Sequence, residues 1–194
     1  MKANFARIIV LIFISSTAFS QTDKMEQNKN SGLFYKISLA TTLSINEDYG
    51  EEGHEEETLI IPNALFLNNT IGYQFDKRSL IGLNLEYNWH SKQGLHFFPA
   101  YLGFQYNIIH YEDLIHGSIS DSNVFIRGGY GTLLSMGKSF EKGNFLKLGI
   151  GYQGQIDDNN NSILIGLDFT RKRFGYRTLE GLSSVSIFLE FMFL

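Results

Sequence analysis

The chain has 194 residues, with 20 Asp and Glu against 16 Lys and Arg and no cysteine. That acidic balance argues against a nucleic-acid partner, and without cysteine neither a disulfide framework nor a thiol-linked lipid anchor is available. Nineteen glycines with only two prolines suit many short strands separated by turns, so the expected class is all-β.

In chain order, Lys2 and Arg7 bracket the entry to an apolar run from Ile8 to Ile14, followed by small or polar residues ending at Ser20. This is the pattern of a secretory signal peptide, with cleavage expected before Gln21. The run is too short for a spanning helix, which needs roughly 20 apolar residues. Residues 1–20 are therefore set apart as an export signal. Residues 21–31 are polar and unpatterned and read as a periplasmic tail, and 32–194 read as one folded domain.

From Leu33 onward the dominant period is two. Strand 1 carries Leu33, Tyr35, Ile37, Leu39, Leu43 and Ile45 in one phase, strand 2 carries Leu65, Leu67, Ile71, Tyr73 and Phe75, and strand 3 carries Ile81, Leu83, Leu85, Tyr87 and Trp89. A short DKRS turn separates the second and third. Strand 4 offers Phe98, Ala100, Leu102, Phe104, Tyr106 and Ile108, and after a longer connection at 109–123 strand 5 offers Val124, Ile126, Gly128, Tyr130, Thr132 and Leu134. Leu146 to Tyr152, Ile163 to Phe169 and Val185 to Phe193 supply strands 6, 7 and 8. The expectation is an eight-stranded antiparallel up-and-down transmembrane β-barrel, whose even strand number brings both ends of the domain to one side.

The alternation by itself also fits a soluble sandwich or lipocalin-like barrel, with the apolar face turned inward. The two phases separate the readings. The apolar phase contains no charged residue in any strand, as a bilayer requires when a charge on a lipid-facing strand costs about 2–4 kcal/mol near the midplane. The opposite phase carries Lys36, Arg127 and Lys147 against Glu86, Asp168 and Glu190, together with many glycines. Three charges of each sign suit a closed, ion-paired lumen, because an unpaired buried charge is expensive. Aromatic residues near strand ends suit interfacial girdles.

The stretches TIGYQFDKRSLIGLNLEYNW (70–89), FPAYLGFQYNI (98–108), FIRGGYG (125–131) and SIFLEFMFL (186–194) resemble the small OmpA/OmpX-like outer-membrane barrels of Gram-negative bacteria. The resemblance implies an outer-membrane location, contact with outer-membrane lipid and lipopolysaccharide, and recognition of the last strand by the barrel-assembly machinery. Phe193 is penultimate here and Leu194 last, a departure from the usual terminal aromatic. The resemblance also places the connections 46–58, 90–97, 135–144 and 170–183 on the outside. A monomer without cofactor is expected, and members of such a family share a fold far more than a function.

Three constellations bear on chemistry. The 46–58 connection gathers acidic residues around His54, and Glu51, Glu52, His54 and Glu55 are weak candidates for a divalent cation, although their spacing matches no defined ion-binding loop; a solvated acidic loop is the alternative. The 170–183 connection is basic, with Arg171, Lys172, Arg173 and Arg177, and suits the acidic loop, lipopolysaccharide phosphates or plain solvation. A lipid-modifying enzyme would need a nucleophile and a base. His90 and Ser91 are adjacent, but neighbouring strand residues point to opposite faces, so no catalytic residue is assigned. GIGYQG (149–154) lies inside a strand with no helix after it, which excludes a phosphate-binding loop. The leading expectation is a closed polar lumen with a structural or surface-interaction role. Alternatives are a lipid-A or phospholipid-modifying enzyme, and a barrel holding a small hydrophobic ligand among Phe125, Leu133, Leu164 and Phe188.

Overall fold

The computed structural model describes residues 31–45, 60–91, 94–115, 118–137, 142–156, 161–176 and 179–194. The expected export signal, most of the expected polar tail and the acidic connection with Glu51, Glu52, His54 and Glu55 lie outside them. All described regular structure is strand: β1 Gly32–Ile45, β2 Ile60–Gln74, β3 Ser79–His90, β4 Leu95–Phe97, β5 Pro99–Ile115, β6 Ser118–Leu133, β7 Gly143–Gln155, β8 Ser162–Tyr176 and β9 Leu179–Phe193.

Every pairing is antiparallel between chain neighbours, and β1 pairs with β9, so the sheet closes on itself. β4 and β5 both pair with β3, in continuous register, and are separated only by Phe98. They form one stave, and the closed barrel has eight. Closure leaves no sheet edge along its wall.

Hydrophobicity follows the pleat as a bilayer demands. Leu33, Ile37, Leu39, Leu65, Leu67, Ile71, Leu83, Leu85, Leu102, Phe104, Leu148, Ile150, Ile165, Leu167, Ile187 and Leu189 all stand exposed on the outer wall. Their inward neighbours include all of the buried charges and most of the small and polar residues, along with apolar side chains such as Phe34, Phe66, Leu164 and Phe188. Glycines fall together on the inner face of four successive staves, where the register aligns Gly72, Gly82, Gly103 and Gly129. A methyl group at Gly72 would stand 2.4 Å from the Phe34 ring, and one at Gly129 2.6 Å from the Tyr101 ring. The bare backbone is what lets those rings come so close to the wall inside so narrow a barrel.

Three connections are shorter than the sequence suggests. Residues 95–97, expected in an outer loop, are strand, and Gly94 at φ 61° makes the turn before them. Within 109–123, β5 runs on to Ile115 and β6 starts at Ser118, after a bulge between Asn107 and Ile109. Within 170–183, β8 continues to Tyr176 and β9 begins at Leu179.

Candidate functional site: the ionic lumen

Period-two geometry places Lys36 of β1, Glu86 of β3, Arg127 of β6, Lys147 of β7, Asp168 of β8 and Glu190 of β9 on the inner face. All are buried except Arg127, whose side chain retains 12% exposure. Arg127 donates from Nε to Asp168 Oδ1 at 2.8 Å and from Nη2 to Asp168 Oδ2 at 2.6 Å, a two-pronged pairing, and from Nη1 to Glu190 Oε2 at 3.0 Å. Its guanidinium also lies 3.6 Å from the centre of the Phe188 ring. Lys36 Nζ stands 3.1 Å from Glu190 Oε1 and donates to Gln105 Oε1 at 2.7 Å.

On the other side of Arg127, Lys147 donates to Glu86 Oε2 and lies 3.5 Å from Asp168 Oδ2. Tyr101 donates its hydroxyl to the same Glu86 oxygen at 3.0 Å. The six charges therefore form one chain across the lumen, Lys36–Glu190–Arg127–Asp168–Lys147–Glu86, in which each interior member bridges two opposite charges. Such coupling matters where desolvation is severe, because the attraction offsets the cost only when every member is paired. Tyr101 belongs to this network although its type marks neither phase.

A seventh charge lies inside. Lys172, expected in the basic outer loop, is fully buried on β8. Its Nζ is ringed by Phe66, Phe97 and Phe145 at 4.6, 5.5 and 5.7 Å from their centres and stands 3.3 Å from His90 Nε2. Among the described residues it has no ion pair. Arg171 and Arg173 point outward and are exposed, as the pleat requires. His90 is buried and Ser91 exposed, so the two share no proton. Among the described residues no group of three His, Asp or Glu is placed to hold a metal.

The proposed apolar ligand set is split. Phe125, Leu164 and Phe188 pack in one inner cluster with Phe34, Leu80 and Met192, while Leu133 belongs to a second with Leu95, Phe97, Tyr101, Phe145 and Phe174. A cavity of about 40 Å³ lies against the glycine row, lined by Lys36, Asn84, Tyr101, Gln105 and Arg127 among others. At about 10–15 Å³ per water, it admits a few waters and no lipid chain.

An oily, charge-free belt outside and paired charges inside invert the arrangement of a soluble barrel. The fold is that of the small outer-membrane β-barrels. No family model matches the chain, and no curated protein does. Among solved structures it is similar to Neisserial surface protein A at 10% identity and TM-score 0.49, covering 84% of this chain and 97% of that one. It is also similar to a de novo designed transmembrane β-barrel at 10% identity and TM-score 0.42, covering 87% and 99%. The N-terminal β-barrel domain of Pseudomonas aeruginosa OprF matches at 13% identity and TM-score 0.39, covering 83% and 97%.

Proposed function

We propose that this outer-membrane-type barrel is exported by its N-terminal signal, resides in the outer membrane as a monomer, and acts through its outer connections and wall, not as a pore. The observation that carries the reading is the charge chain through Arg127. Its links at 2.5–3.5 Å from β1 across to β3 occupy the section an ion would have to cross, and eight strands leave an interior just wide enough for side chains. The outward series Val185, Ile187, Leu189, Phe191 and Phe193 of β9 supports recognition of this strand by the assembly machinery.

Two measurements test the proposal. Protein extracted from outer membranes should migrate faster unboiled than boiled, and in planar bilayers it should show no stable conductance. Migration unchanged by boiling, with recovery in the soluble periplasm, refutes the membrane assignment; well-resolved channels refute the closed lumen.

A further inference from the structure

The outward phase of β8 changes chemistry at one level. Ile163, Ile165, Leu167 and Phe169 face outward and are apolar, and the next two outward positions are Arg171 and Arg173, both exposed. A tilted membrane strand crosses the hydrocarbon in about 9–11 residues. Counted from Ile163, that crossing ends at residues 171–173. The two guanidiniums thus stand at headgroup depth, where a cation on the outer wall costs far less than at the midplane.

Their surroundings follow from the register. Arg171 lies between Leu146 of β7 and Ser183 of β9, and Arg173 between Asn144 and Gly181. Below them Phe169 lies between Leu148 and Val185, on the oily belt. Lys142, also exposed, immediately precedes β7. Apart from Leu146 the flanking residues are small or polar, and both arginines stand open to the outside. Among the residues whose side chains are described, neither has an ion pair, and the exposed carboxylate is Asp76, in the turn at the opposite end of the barrel. No described side chain supplies their counter-charge. At that depth the abundant anion is phosphate, to which the guanidinium fork is matched. Residues two apart on a strand stand roughly 6.6 Å apart, so the pair can grip two phosphate oxygens of one headgroup or of neighbouring lipids.

We propose that Arg171 and Arg173, with Lys142 beside them, form a site on the outer wall for the phosphate groups of an anionic lipid of the outer leaflet. The inference rests on the membrane reading above. The test refolds wild-type, R171Q/R173Q and R78Q protein into vesicles of zwitterionic lipid mixed with phosphatidic acid, and native mass spectrometry reads the lipid retained after gentle extraction. Wild type and R78Q, altered in the far turn, should both enrich the anionic lipid. R171Q/R173Q should lose about 30-fold of that preference, roughly fivefold per arginine. On wild type, raising ionic strength from about 0.01 to 0.15 M shortens screening from about 30 to 8 Å and should erode the enrichment. Equal enrichment in R171Q/R173Q, equal loss in R78Q, or enrichment indifferent to salt overturns the site. In those cases an unboiled fast-migrating band leaves the membrane reading standing, whereas absence of that band in wild type removes both.

Discussion

Replacing Arg127 by leucine separates pairing from overall charge balance. Among the described residues the lumen holds four cations, Lys36, Arg127, Lys147 and Lys172, against three carboxylates. Losing Arg127 would equalise the count. Locally, however, it removes the bonds of 2.8 and 2.6 Å to Asp168 and of 3.0 Å to Glu190. Asp168 keeps only Lys147 at 3.5 Å, a lysine already committed to Glu86. Removing one partner from a buried ionic network typically costs about 3–5 kcal/mol, and that loss is the expected outcome for R127L. The assay is urea unfolding of the refolded barrel, followed by fluorescence of the single tryptophan, Trp89, which faces outward on β3. With m of about 1–3 kcal/mol/M, the midpoint should fall by on the order of 2 M. The double variant R127L/D168L leaves Lys36 with Glu190 and Lys147 with Glu86, so it should recover most of the loss. A change under about 1 kcal/mol in R127L, or a double variant worse than the single, would refute the reasoning.

Three other outcomes follow from the same geometry. In G166A the new methyl would meet the Ile150 carbonyl oxygen at 2.2 Å and Gly151 Cα at 2.6 Å, so stability should drop by about 1–3 kcal/mol; an unchanged urea midpoint contradicts this. K172M places an apolar chain among Phe66, Phe97 and Phe145 in place of an unpaired cation, and should leave stability equal or higher by about 1 kcal/mol or more, whereas a clear loss would show that Lys172 has a partner of consequence. Asp76 Oδ1 accepts the Arg78 and Ser79 amides at 2.7 and 2.6 Å, and these bonds hold its carboxyl below the ordinary 3.8. Because the folded value is the lower one, the turn's extra stability is complete above the ordinary value and disappears as pH falls through the folded one. The Ser79 amide shift should titrate with a midpoint below 3.8 and stop titrating in D76N; a midpoint at or above 3.8 sinks the assignment.

The barrel was legible because a membrane wall writes a two-sided code, and wherever both faces obeyed it the strand could be read. The six paired lumen charges followed from the same alternation. The code fails at the rims. Above Phe169 the outer face no longer excludes charge, so Arg171, Lys172 and Arg173 show no contrast, and the pleat that hides Lys172 between its exposed neighbours leaves no mark in composition. At 95–98 the inner face itself turns apolar with Leu95 and Phe97, which again erases the alternation. The bulge after Asn107 leaves Ile108 and Ile109 both exposed, breaking the phase where β5 runs on. Tyr101, equally at home against lipid or a carboxylate, could be placed only by its position in the pleat.

That extension of β5 and β6 has a further consequence. β3 stops pairing with β5 at Ser79–Tyr106, and β7 stops pairing with β6 at Ser122–Gly154. Among the described residues, the ladder from Glu112 with Asp121 to Ile115 with Ser118 therefore projects past the closed wall as a two-stranded ribbon with both flanks unpaired. Such a ribbon is marginal in isolation. Its amides should exchange with solvent by opening of the ribbon alone, on a timescale decoupled from the barrel, giving one molecule with two separate regimes of protection.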